Sequence, residues 1–181
     1  LPKPIVKDEI PNFTINYTLQ KVLFRRGIDT EYDLKEFITP SELPNPEDHF
    51  KELSKATQRI INACATNEKI AICGDYDADG ITSTVLLVEL LSKLGAKAIA
   101  YIPSRQVDGY GLNIKMINEI NLREIKLVIT VDNGISAFEA IKKTKELGID
   151  LIITDHHKIP DRQLDIFSLI HPEQTPVNSP Y

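Results

Sequence analysis

The chain has 181 residues, 42% of them apolar and 26% charged, an ordinary globular composition that excludes a disordered or fibrous polymer. No apolar run approaches the ~20 residues that span a bilayer, and no basic-then-apolar signal segment opens the chain. The formal net charge of −5 argues against a freestanding nucleic-acid grip of clustered Lys and Arg, although cations bound to a carboxylate site would offset part of that count.

The first third reads as helical. Residues 16–26 carry Leu19, Val22, Leu23 and Phe24 at helical spacing before Gly27 stops them. Thr30 and Asp33 match a short capping box ahead of Tyr32, Leu34, Phe37 and Ile38, and Pro40 closes that element. Asn45-Pro46 supplies a cap and an N1 proline for a long amphipathic helix whose expected face is Phe50, Leu53, Thr57, Ile60, Ile61 and Cys64. The pattern changes at residue 67. Strands are expected at 69–73, 97–102, 126–131, 150–154 and 167–171, with helices at 80–94, 113–120 and 136–147 between them. Such alternation implies right-handed crossovers and a parallel α/β sheet of about five strands flanked by helices. The expected organisation is a helical amino-terminal region over residues 1–66 and an α/β core over 67–181. The chain opens on Leu1 rather than Met and closes without a helix or strand, as a fragment of a longer protein would. Its two cysteines, Cys64 and Cys73, are too few for a disulfide framework, so a reducing cytoplasm is the default compartment.

The position of the acids is the decisive observation. The first strand ends in Gly74-Asp75-Tyr76-Asp77-Ala78-Asp79-Gly80, the third in Asp132-Asn133-Gly134 and the fourth in Asp155-His156-His157. Ligand sites in open parallel sheets lie outside the strand carboxyl ends, so three distant segments deliver five aspartates and two histidines to one edge. Carboxylates that close repel one another, and two divalent cations would relieve the repulsion. Carboxylate oxygens with one or two imidazoles suit Mn²⁺ or Mg²⁺. Two such ions about 3.5–4 Å apart activate water and clamp a phosphoryl group without any side-chain nucleophile. A calcium loop starting at Asp75 would need glutamate at its twelfth position, which is Leu86.

These motifs resemble those of the DHH phosphoesterase family in its RecJ-like form. Asp155-His156-His157 is similar to the motif that names the family, residues 74–80 to its first motif, and Val131-Asp132-Asn133-Gly134-Ile135 to its second. Arg25-Arg26-Gly27-Ile28, Pro103-Ser104-Arg105 and Gly109-Tyr110-Gly111-Leu112 extend the resemblance over nearly the whole chain, in order. It implies metal-dependent hydrolysis of phosphodiester bonds, as a cytoplasmic 5′ to 3′ exonuclease on single-stranded DNA in recombination and repair. A single-strand-binding protein and a helicase are the further partners it implies.

By the same resemblance Asp77, Asp79, Asp132 and His156 are the metal ligands. Asp75 and Asp155 are ligands or groups that orient them, and His157 faces the metal or the scissile phosphate. Arg105 is a candidate for holding a substrate phosphate, with a structural ion pair as its alternative. Thr82 and Ser83 are candidates for phosphate contact, with helix capping as theirs. Relatives carry Asn-Pro where this chain has His171-Pro172, which leaves His171 a marginal metal candidate. The family also has a further metal-binding aspartate downstream and a second domain, so the chain alone is expected to be weak or inactive. A hydrolase of short oligoribonucleotides or cyclic dinucleotides fits less well, because smaller relatives lack the leading helices. A non-catalytic binding module would have lost motif residues, and here all three motifs are intact.

Overall fold

A computed structural model describes residues 15–39, 43–177 and 179–181, which leaves Pro40 outside the described residues. Its contacts divide the chain into two compact units, Leu1–Pro44 and Asn45–Tyr181. In the first unit, helix α1 (Tyr17–Arg25) is capped by the Asn16 side chain, which accepts from the Thr18 amide at 2.8 Å. Helix α2 (Glu31–Ile38) has the expected capping box, Thr30 and Asp33 satisfying each other's backbone amides.

The second unit begins with a single 3-10 turn at Pro46–Asp48, capped by Asn45, followed by helix α3 (Leu53–Ala65). The cap signal at Asn45-Pro46 therefore opens a one-turn helix rather than the long one. Tertiary bonds intervene: Glu52 accepts from the Leu169 amide at 2.7 Å through its carboxylate and from Ser168 Oγ through its carbonyl. The buried face of α3 is also rotated from the expected one. Ala56 and Ala63 are buried, with Ile60 and Cys64 packed beside them, while Thr57 and Ile61 are exposed. Small residues let the helix lie close on the sheet, and a hydrophobicity pattern weights them too lightly to show it. Contacts thus place α3 with the sheet, whereas the boundary expected at 66/67 grouped it with the leading helices.

The sheet has five parallel strands: β1 (Lys69–Cys73), β2 (Lys97–Tyr101), β3 (Leu127–Val131), β4 (Asp150–Thr154) and β5 (Ser168–Ile170), in the order β2-β1-β3-β4-β5. Helices α4 (Ala78–Lys93), α5 (Ile114–Leu122) and α6 (Phe138–Glu146) connect them. Alternate strand residues face opposite layers, as the pleat requires. Ile70, Ile72, Leu127 and Ile129 pack under α3 and α4, whereas Ala71, Cys73, Val128 and Ile153 pack under α5 and α6. Every β3 residue is buried, and the strand reads as an apolar run broken only by Thr130.

The chain leaves β1 for β2 on one side and returns to β3 on the other. That reversal opens a crevice at the carboxyl ends of β1 and β3, where doubly wound sheets bind ligands. The fully buried Asn133 spans it. Its Nδ2 donates to the carbonyls of Cys73 and Val131, each at 2.9 Å, and its Oδ1 accepts from the Leu112 amide at 3.0 Å. Among the described residues no helix is long and apolar enough to cross a membrane.

Asn133→Ala would leave those buried groups without a partner, at about 1–3 kcal/mol for each unsatisfied group. The urea midpoint is expected to fall by the equivalent of at least ~2 kcal/mol. A drop below ~0.5 kcal/mol, the range of ordinary surface substitutions, would show that the tie does not hold the strands.

Candidate metal centre

At the end of β1 the backbone turns directly into α4. Asp77 is the N-cap: its Oδ1 accepts from the amides of Asp79 at 2.9 Å and Gly80 at 3.1 Å. Two glycines make the turn possible. A Cβ on Gly74 would lie 2.1 Å from Thr84 Oγ1, and one on Gly80 only 1.8 Å from Asp75 Oδ1. The close approach puts the Asp75 carboxylate beneath the start of the helix with no solvent exposure. Its Oδ1 receives a long 3.4 Å bond from the Asp77 amide, and its buried Oδ2 makes no hydrogen bond.

At the end of β3, Asp132 adopts φ +61°, the left-handed region that a non-glycine residue seldom occupies. Its Oδ1 is buried without a hydrogen bond and lies 3.2 Å from His156 Nδ1. At the end of β4 the Asp155 carboxylate is fully engaged. Oδ1 accepts from the amides of His156 and His157 and pairs with His157 Nδ1 at 2.7 Å, while Oδ2 accepts from the Ile135 amide at 3.0 Å. Asp155 therefore orients His157, whose Nε2 lies 3.5 Å from the Tyr110 hydroxyl. The two imidazoles stack with centroids 4.7 Å apart.

Two sets of potential ligand atoms result, each within a 4.8 Å span: Asp75, Asp77 and Asp132 form one, and Asp132, Asp155, His156 and His157 the other. Asp132 belongs to both. Asp79 belongs to neither, but it lines the same open cavity of about 580 Å³ as Asp132 and His156. Thr82 and Ser83 also line it, yet their hydroxyls donate into their own helix, to the carbonyls of Ala78 and Asp79. Arg105 makes no ion pair among the described residues, and its guanidinium lies 5.4 Å from the Tyr76 ring centroid. His171 belongs to neither ligand set and is 1% exposed. Its Nδ1 accepts from the Glu173 amide at 3.0 Å, which leaves the proton on Nε2 for the His157 carbonyl at 2.7 Å. It pins the loop that carries the histidines. Sequence reasoning gave no role to Asn133, and none to Tyr110, whose hydroxyl donates to the Asp132 carbonyl at 3.2 Å.

The electrostatics follow from the packing. Burial pushes the Asp75 carboxyl up, and the negative charge of Asp77 adds to it against the Asp77 amide. Burial also pushes Asp132 up, with Asp75 and Asp77 adding and His156 opposing. The Gly80 and Asp79 amides hold Asp77 down. Burial works to raise Asp155 as well, but the His157 and Ile135 amides and the His157 ring outweigh it, and its pKa falls. The bond to Asp155 raises His157. Burial and the surrounding carboxylates lift the Tyr110 phenol to about 12, so it stays neutral. Two buried carboxylate oxygens without hydrogen bonds, amid four acidic groups and two imidazoles, fit hard or borderline divalent cations.

Comparison with known proteins identifies relatives of this chain. A family model described as the DHH family, N-terminal domain, matches residues 69–180. The single-stranded-DNA-specific exonuclease RecJ of Bacillus subtilis is 38% identical over 178 residues, covering 97% of this chain and 22% of that protein. Its Escherichia coli counterpart is 33% identical over 163 residues, covering 90% of this chain and 28% of that protein. Among solved structures, RecJ of Thermus thermophilus in complex with Mn²⁺ superposes with a TM-score of 0.66 at 28% identity, covering 88% of this chain and 22% of that one. Exonuclease RecJ bound to manganese gives 0.65 at 35% identity, covering 70% of this chain and 32% of that one. The chain thus spans between a fifth and a third of the length of these proteins.

Because Asp75 and Asp132 have raised pKa values in the fold, their ionisation costs stability as pH rises through those values. Asp155 acts oppositely: its contribution is present above the unfolded carboxyl pKa and is lost as pH falls through its lowered folded value. A Mn²⁺ ion held by Asp75 and Asp132 would therefore displace protons from them in the acidic range. Calorimetry in buffers of different ionisation enthalpy should detect proton release there that disappears as pH rises. Asp75→Asn is expected to raise the thermal stability of the metal-free protein by about 1 kcal/mol while weakening Mn²⁺ binding. A loss of stability in that variant would refute the account of Asp75 as a strained buried charge.

Proposed function

The chain belongs to the DHH family, and from that membership we propose that it carries the metal-holding part of a RecJ-like exonuclease. The substrate is single-stranded DNA, degraded 5′ to 3′ by phosphodiester hydrolysis in recombination and repair. The observation that supports this best is the convergence of three distant segments on Asp132, the residue common to both sets of ligand atoms. Relatives carrying the name single-stranded-DNA-specific exonuclease RecJ, similar over nearly the whole chain, support the substrate class.

The ions we assign are Mn²⁺ or Mg²⁺, two in the complete site. Manganese is the ion in the complexes formed by the two similar solved proteins. Asp75, Asp77 and Asp132 would hold one such ion, and His156 with Asp132 could hold another. Such ions neutralise the carboxylates, activate water and polarise a phosphoryl group. The protein's own part is orientation. Asp155 fixes the His157 ring through Nδ1, from which Nε2 would be available to the scissile phosphate, and His171 fixes the loop behind it. Asp79 lines the cavity from the first turn of α4 and would be a further ligand there. The compartment is the cytoplasm, and a single-strand-binding protein and a helicase are the partners this role implies. The chain spans less than a third of these relatives, and the activity proposed is that of the whole protein.

Calorimetric titration of Mn²⁺ should show binding that disappears when Asp77 and Asp132 are both changed to alanine. Asp155→Asn should weaken metal affinity or turnover about 10–100-fold. In the full-length protein, Mn²⁺-dependent release of nucleotides should require single-stranded DNA. Metal binding without any hydrolysis of single-stranded DNA would favour a binding module instead.

A further inference from the structure

His171 stands just past the carboxyl end of β5, almost wholly removed from water. A buried polar ring is retained where its nitrogens find partners, and both do here. Nδ1 accepts from the Glu173 amide at 3.0 Å, which caps the turn at Pro172–Gln174, and Nε2 donates to the His157 carbonyl at 2.7 Å. With both nitrogens engaged the ring has no lone pair left for a cation, so His171 is a support and not a ligand. The first bond is a local cap of the kind that Asn, Asp, Ser or Thr also makes. The second joins β5 to the turn that carries the two adjacent histidines, and only a longer side chain reaches that far.

The place of that second bond gives it consequence. The β4–β5 ladder ends at Thr154 and Ile170, with one further bond from the Asp155 amide to the Ile170 carbonyl at 3.3 Å. Beyond it the turn at 155–157 is held from inside by one atom. Asp155 Oδ1 receives the amides of His156 and His157 and pairs with His157 Nδ1. Three bonds that converge on a single oxygen leave the far end of the turn free to swing about it. The His157 carbonyl is that far end, and His171 holds it. Packing does not do so, because the His157 side chain is 48% exposed. The anchor itself is firm although β5 has only three residues. The Glu52 carboxylate accepts from the Leu169 amide at 2.7 Å, and Ser168 Oγ donates to the Glu52 carbonyl at 3.2 Å, which locks β5 to the start of α3.

We propose that His171 is a positioning residue for phosphodiester hydrolysis: by holding the His157 carbonyl from β5, it sets where the His157 ring stands. The inference rests on the exonuclease reading, in which His157 serves the scissile phosphate, and adds the group that makes its position reproducible. A misplacement of about 1 Å in a reacting group costs on the order of 10²-fold in rate. Asp75, Asp77 and Asp132 lie on the turns after β1 and β3, and the bonds of the His171 ring go to neither turn. Turnover is therefore the quantity that His171 controls, and metal binding is not.

The test uses the full-length protein and its His171→Leu, His171→Thr and His171→Asn variants. It measures kcat and KM for Mn²⁺-dependent cleavage of single-stranded DNA beside Mn²⁺ affinity by calorimetry. Leucine removes both bonds and keeps much of the buried bulk. Threonine still accepts from the Glu173 amide but is too short to reach His157, and it carries the test if the leucine variant does not fold. Asparagine offers an acceptor and an N–H donor on one planar group, as the imidazole does. The leucine and threonine variants are expected to lose about 10–100-fold in kcat, with KM and Mn²⁺ affinity unchanged, the mark of an interaction felt only in turnover. Asparagine should restore most of that loss. A folded leucine or threonine variant with the kcat of the unaltered protein would overturn the proposal. So would a fall in Mn²⁺ affinity that accounts for the whole loss, or an asparagine variant no better than threonine. Absence of Mn²⁺-dependent cleavage by the unaltered protein would overturn the exonuclease reading, and the proposal with it.

Discussion

The side chain of Asn133 holds the centre of this structure together. Its amide joins the ends of β1 and β3 through the Cys73 and Val131 carbonyls, and its oxygen anchors the loop before α5 at Leu112. Strand pairing alone sets the spacing of β1 and β3 only as far as the ladder runs. Beyond it the chains would diverge, with Asp75 and Asp77 on one side and Asp132 on the other. A buried, fully satisfied amide at that point is a short, directional link that water cannot compete for. The same residue anchors Leu112, two positions beyond Tyr110, so the candidate ligands and the loop beside them share one support.

Around that support the fold accepts charge that it does not neutralise. Asp75 and Asp132 are pushed toward protonation, and both present a buried oxygen without a hydrogen bond. Asp132 does so from a backbone conformation that favours glycine. Asp155, close by, is surrounded by amide donors and a histidine and is held as the anion. The contrast separates two duties. A carboxylate whose lone pairs are already filled by N–H groups can orient a neighbour, whereas one left unfilled has capacity for a cation. Local strain at such a site is retained because the surrounding β-sheet over-determines it.

Much of the fold was legible in advance because its signals are local. Short isoleucine- and valine-containing runs bounded by polar clusters mark β1, β3 and β4, and the Thr30–Asp33 box marks the start of α2. The rotated face of α3 was not legible, since Ala56 and Ala63 carry little hydrophobic signal and are buried only because a helix lies close against the sheet there. Nor was the break before α3, which depends on Glu52 reaching β5 from 117 residues away in the sequence.

The candidate site divides in the same way. Sequence by itself determined which acids and histidines gather at one edge, because strand alternation and parallel connection send every β-to-α turn to the same side. It also determined the glycines that let β1 meet α4. Only the tertiary structure decided the part of each residue. Asp132 became common to two ligand sets, Asp155 turned inward to hold His157, His171 became a buried pin, and Asp79 stood apart. Those roles depend on distances and hydrogen-bond partners between segments that a linear pattern brings near one another without fixing ångströms or angles.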